Sequence, residues 1–224
     1  MKNLTETLHH IPGTRREYVA FSGANATTPY LSDTQQKYQR KLFDTLDEVL
    51  SRCDLRDGMT VSFHHAFREG DKVINYVMAR LAEKGLRGLT LASSSLMTCN
   101  APLIEHIKHG VISKIYTSGM RGELADAISH GLMEEPVQIH SHGGRVNLIE
   151  KGEINIDVAF LAVSCCDEYG NASGNGGTSQ CGSLGYAMVD AQYAKKVVLL
   201  TETLKPFPNL PASIVQDRVD YVVQ

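Results

Sequence analysis

No apolar run in this chain is long enough to cross a bilayer. The longest, residues 158–163 and 197–200, fall far short of the roughly 20 residues a spanning helix needs. They predict buried strands. The opening Met1-Lys2-Asn3-Leu4-Thr5-Glu6-Thr7 lacks the charged-then-apolar pattern and small-residue cleavage site of a secretory signal, so the expected compartment is the cytoplasm. Five cysteines, an odd number with Cys165 and Cys166 adjacent, supply neither a disulfide framework nor paired C-x-x-C spacing, and predict reduced thiols. A net charge of −3, with basic residues scattered except for Arg15-Arg16 and Lys195-Lys196, leaves no footprint for nucleic acid or an anionic membrane. The expected partner is a small anion or a protein.

Several catalytic signatures are also missing. No serine sits in a G-x-S-x-G elbow, and there is neither a G-x-x-x-x-G-K-[ST] loop nor a G-x-G-x-x-G fingerprint. Hydrolase, P-loop and dinucleotide readings lose support. No third ligand stands at a recognisable spacing from His140 and His142, so no metal site is expected. Cys165 and Cys166 read as small buried residues before they read as nucleophiles.

What is present is 224 residues at 42% hydrophobic composition, enough for one substantial core. Pro12-Gly13, Gly23-Ala24-Asn25 and Pro29 break any period in residues 1–31, which predicts an amino-terminal arm ahead of an α/β domain at 32–224. Ser32-Asp33-Thr34-Gln35 has capping-box spacing before Leu42, Leu46, Val49 and Leu50, predicting a helix from about 33 to 52. From Gly58 onward, strand-like runs alternate with amphipathic segments, the pattern of βαβ units in a mostly parallel sheet flanked by helices. Lys84-Gly85, His109-Gly110 and His130-Gly131 read as helix C-caps, which makes His109 and His130 caps and not catalysts. Residues 143–156 predict a hairpin or irregular excursion, 170–177 a long flexible loop, 185–194 a helix, 196–201 a strand, and 219–224 a final strand.

Five runs end in Ser, His, Cys or Gly: 60–65, 89–95, 115–119, 137–144 and 158–166. As neighbouring parallel strands they would converge on the rim where open α/β sheets bind ligands. His64 and His65 end the first run, and Arg68 stands just before Glu69-Gly70-Asp71 at a helix entry, a cradle for a carboxylate. His140 and His142, at i and i+2, are expected on one strand face, with Gly143 and Gly144 open to close backbone approach. Ser93, Ser94 and Ser95, and Ser118 and Gly119 with Arg121, could serve an anion, although serines there are also ordinary helix caps.

The run Asp57-Gly58-Met59-Thr60-Val61-Ser62-Phe63-His64-His65-Ala66-Phe67-Arg68 resembles the alpha subunit of citrate lyase, the citrate CoA-transferase component. Residues 89–95, 115–122, 137–145, 155–172, 181–187 and 211–214 extend the resemblance over nearly everything from about residue 34 onward. It implies a CoA-transferase-like α/β fold for 32–224 and a second related domain beyond this chain, so that the chain corresponds to the family's amino-terminal half. The implied reaction exchanges acetate for citrate on an acyl-carrier thioester, giving citryl thioester and acetate. The thioester group is the carrier's phosphoribosyl-dephospho-CoA, or CoA itself, and no cofactor of the chain's own is implied. The implied partners are citrate, an acetyl thioester, acyl carrier and citryl lyase subunits, and further copies of the chain in a larger complex. His64, His65, His140 and His142 are then the catalytic candidates. Ser62, Arg68, Ser93, Ser94, Ser118, Gly119, Arg121, Gly143 and Gly144 are the candidates for holding substrate. The competing readings are a noncatalytic citrate- or CoA-binding or complex-docking module, and a sugar-phosphate isomerase on a related fold.

Overall fold

A computed structural model describes residues 39–67 and 70–224. The expected arm, the capping box at Ser32 to Gln35, and Arg68 with its carboxylate cradle lie outside the described residues.

Eight strands form one sheet in the order β1 (Leu42–Phe43), β10 (Tyr221–Val223), β9 (Lys196–Leu200), β6 (Val158–Ala162), β2 (Thr60–Phe63), β3 (Leu89–Ser93), β4 (Ile112–Thr117) and β5 (Gln138–Ile139). Every pairing in it is parallel. Parallel strands buried on both faces need apolar residues throughout, and β6 is buried at all five positions.

Helices cover the two faces unequally. On one side pack α1 (Leu46–Arg52), α2 (Val73–Glu83), α3 (Leu103–Lys108) and α4 (Gly122–Ser129), against Val61, Phe63, Leu91 and Phe160. On the other, α5 (His142–Glu150) and α6 (Tyr186–Tyr193) cover Ala92, Ala159, Leu161 and Leu199. The alternate residues of each strand thus feed two separate cores, each buried Leu, Ile or Phe contributing ~1.5–3 kcal/mol. The chain runs outward from β2 to β5, then returns through α5 to β6 on the other side of β2. That reversal makes β2/β6 the switch point of the sheet.

The capping reading holds. His109 and His130 end α3 and α4, and each ring Nδ1 meets the carbonyl four residues back, at 2.7 Å. Gly110 and Gly131 follow with φ of 69° and 88°.

Three expectations are corrected. Of the expected helix, residues 39–45 are not helical: Leu42 and Phe43 pair with Val222 and Val223, and Thr45 caps α1 by accepting from the Glu48 N–H at 3.3 Å. Tertiary pairing overrides the local period. Residues 142–150 are a helix and not a hairpin, capped by Ser141, whose Oγ accepts from the Gly144 N–H at 3.0 Å. Its buried face uses Arg145 and Ile149, and a buried arginine reads as polar in any hydrophobic count. Finally, residues 170–174 are buried, not a flexible loop: Ala172 and Ser173 form β8, antiparallel to β7 (Cys165–Cys166). Asn171 there bonds both Asp167 and Gln216, at 2.9 Å each.

Candidate active site

Backbone pairing continues past the strand ends and lines up the candidate side chains. The Ser94 N–H donates to Phe63 O at 3.2 Å, the Ser118 N–H to Ser94 O at 3.2 Å, and the His140 N–H to Thr117 O at 2.9 Å. His64 and His65, Ser94, Ser118 and His140 therefore follow one another along the rim of β2, β3, β4 and β5. The strand-end expectation is met for these residues.

His64, His65 and His142 are brought together with Tyr186, which the sequence places at the start of a helix and not among the site candidates. Ring centroids lie 5.6 Å apart for His64 and His65, 6.4 Å for His65 and His142, 6.2 Å for His64 and Tyr186, and 4.9 Å for His142 and Tyr186. His140 is not on a common strand face with His142. The strand stops at Ile139, His142 opens α5, and the His140 ring stacks on Tyr116 at 6.1 Å.

His64 is 9% exposed, and its Nδ1 has no protein partner. Burial, reinforced by the neighbouring His65, lowers its pKa from 6.5 to about 4, so it is a neutral imidazole at pH 7. The Ser118 Oγ and His140 Nε2 are likewise buried without a partner. An unsatisfied buried polar atom costs ~1–3 kcal/mol, and three along one rim, at the ends of β2, β4 and β5, mark a place where hydrogen bonds are available to a ligand.

Two serines face elsewhere. Ser62 is wholly buried, donates to Asp190 Oδ2 and accepts from Arg145 Nη2 at 2.9 Å. Arg145 grips Asp190 with both terminal nitrogens, at 2.6 and 2.9 Å, and the two side chains are 2% and 0% exposed. Ser62 therefore belongs to the interior beneath the rim, not to its surface. Ser93, also wholly buried, donates to Ser95 O at 3.0 Å. Gly119 is tied to the rim, accepting from the Leu96 N–H at 2.9 Å. Arg121 is exposed at the N-cap of α4, its N–H held by Leu96 O at 3.1 Å. Gly143 and Gly144 lie in the first turn of α5, Gly143 exposed and Gly144 half-buried.

A cavity of about 640 Å³ opens beyond the ends of β6, β9 and β10, between Asp71, Tyr76, Ser164 and Glu202. Burial raises the Asp71 carboxyl, although the Val73 and Phe67 N–H groups hold it. Cys166 is not an activated thiol: it is wholly buried, and desolvation pushes its pKa up to about 12. Among the described residues, no three His, Cys, Asp or Glu side chains are grouped to hold a metal, and no helix is long and apolar enough to cross a membrane.

This fold is shared with solved structures of acyl-CoA transferases. An acyl-CoA transferase from Escherichia coli O157:H7 superposes with a TM-score of 0.62 at 14% identity, over 82% of this chain and 47% of that one. The chain belongs to the citrate lyase alpha subunit family, CitF, whose pattern it matches over residues 39–224. The citrate lyase alpha chain of Klebsiella pneumoniae is 63% identical over 204 residues, 91% of this chain and 40% of the relative. That of Haemophilus influenzae is 63% identical over 185 residues, 83% and 37% of the two chains. A crystal structure from Streptococcus mutans, described as the alpha subunit of citrate lyase in complex with citrate, has a TM-score of 0.81 and 50% identity, over 83% of this chain and 36% of that one. The chain thus spans about 40% of the length of the curated relatives it matches.

Proposed function

We propose that the chain provides the citrate-holding side of a citrate CoA-transferase, which exchanges acetate for citrate on an acyl thioester. The observation that carries this is the set of buried, unpartnered polar atoms along one rim, His64 Nδ1 after β2, Ser118 Oγ after β4 and His140 Nε2 after β5. Citrate offers three carboxylates and a hydroxyl, a ligand rich in acceptors, and the citrate-bound Streptococcus mutans relative supports that choice.

The chemistry needs no enzyme nucleophile. A citrate carboxylate oxygen adds to the acetyl thioester carbonyl, the C–S bond breaks, and a thiolate leaves with a mixed citryl–acetyl anhydride in place. The thiolate then adds to the citryl carbonyl carbon, and the anhydride C–O bond breaks to release acetate. No net proton is taken up. What the protein must supply is alignment of two anions and donors for each oxyanion. Ser118, as a hydroxyl donor, and His140 fit the second task. A neutral His64 can share one hydrogen bond without holding the product by charge.

The same reading includes an acyl carrier that presents the thioester on phosphoribosyl-dephospho-CoA, a lyase subunit that cleaves the citryl product, a homo-oligomer and a cytoplasmic setting. Mass spectrometry of the chain incubated with acetyl-CoA and citrate tests it, with and without the remaining portion of a relative supplied as a second polypeptide. Citryl-CoA and acetate are expected at least in the second case. Citrate binding without transfer in both would replace the reading with a docking module.

A further inference from the structure

Arg145, Asp190 and Ser62 form the one buried charged network among the described residues in which an ion pair is closed to solvent on both sides. Each member shares an element face with a ring of the histidine cluster. Arg145 stands three residues after His142 on α5, and Asp190 four after Tyr186 on α6, spacings that put both residues of each pair on one side of the helix. Ser62 precedes His64 by two along β2 and its extension, so both point to the same side of the sheet. Arg145 Nη2 also reaches Ala92 O on β3, at 3.4 Å.

We propose that the Arg145–Asp190 pair is a positioning device that locks α5, α6 and β2 together, so that His142, Tyr186 and His64 meet at the rim. The inference rests on the functional reading above for its kinetic consequence, but not for its geometry. A guanidinium held through both terminal nitrogens fixes distance and angle together, which a single hydrogen bond or an apolar contact does not. Stability alone does not call for the pair, because a buried ion pair is often no better than well-packed apolar side chains of similar volume. The Arg145 Nε is moreover left buried without a partner, a cost that an apolar contact at this place would avoid. What the pair adds is register. A slip of one rotamer at Arg145 would move the first turns of both helices, and with them the 4.9 Å contact of His142 and Tyr186.

Two variants of the full chain test this, Arg145→Lys, which keeps the charge and loses the fork, and the double variant Arg145→Met/Asp190→Leu, which removes both charges. Transfer kinetics and the imidazole resonances of His64 and His142 in proton–nitrogen NMR spectra are the readouts. In folded variants, kcat is expected to fall about a hundredfold for the double variant and about tenfold for Arg145→Lys, with thioester KM nearly constant and both imidazoles displaced. Displaced imidazoles in a chain that shows no transfer even as wild type would uphold the positioning role while the catalytic reading failed. A folded double variant with wild-type kcat and unmoved resonances would overturn the proposal. So would loss of folding in both variants, which would reduce the pair to a scaffold element.

Discussion

Ser94 holds His65 by two atoms at once. Its hydroxyl accepts the His65 backbone N–H at 3.1 Å and also meets the Nδ1 of the same imidazole, so a serine 1% exposed just past β3 sets both main chain and ring of a residue just past β2. Ser94→Ala removes both contacts without adding volume. We expect a stability loss of about 1–2 kcal/mol in urea unfolding, and a fall in turnover of about tenfold that exceeds any change in citrate binding. Unaltered turnover in the variant would separate His65 from the chemistry.

The depressed pKa of His64 gives stability a direction in pH. The unfolded chain takes up a proton near pH 6.5 that the folded chain refuses until about pH 4. The folded state's advantage is therefore complete above pH 6.5 and is lost progressively as pH falls toward 4, by about 3 kcal/mol. Asp71 and Asp220, whose carboxyls burial raises, act with the opposite sign. Comparing the pH slope of unfolding free energy with that of His64→Gln cancels their part, and the variant's slope between pH 6.5 and 4 is expected to be the shallower.

Thiol chemistry should be silent at two positions. Desolvation pushes Cys53 and Cys166 up to about 12 each. Iodoacetamide at pH 8 is expected to leave both unlabelled in the folded protein and to label both in urea, by peptide mass mapping. Fast labelling of Cys166 under native conditions would reopen the case for a sulfur nucleophile.

Glycine positions separate sharply. A Cβ on Gly174 would sit 1.8 Å from Gly182 O, whereas one on Gly143 would meet nothing within 4 Å. Gly174→Ala is expected to cost about 3 kcal/mol or more, since the obstruction is backbone. Gly143→Ala should leave stability unchanged or raise it by up to about 1 kcal/mol through helix propensity. Melting temperatures of the two variants check the contrast.

The strands of this fold were legible because parallel strands buried on both faces are almost uniformly apolar, and β6 and β9 show it residue by residue. The rim was legible for the same reason: where the apolar run stops, at His64, Ser94 or Ser118, the sheet stops. α5 was not. Its inner face carries Arg145, whose burial depends on Asp190 of α6, and no local window contains both. Tyr186 was hidden likewise, being an ordinary aromatic until α6 packs beside α5. Gly170 and Gly174 looked like flexibility because composition cannot register that Val219 and Gly182 press against them.

The pairing of Leu42 with Val222 and of Phe43 with Val223 bears on how the chain is made. β1 leaves the ribosome first among these strands, yet its neighbour in the sheet is the last of them to be synthesised. Closing so long a loop is slow, and it cannot begin until Tyr221 has emerged. Until then β9 has an open edge on that side, with unpaired amides available to any other nascent chain. β1 can therefore take its place in the sheet only after β10 has been made, and until then the β9 edge on that side has no native partner.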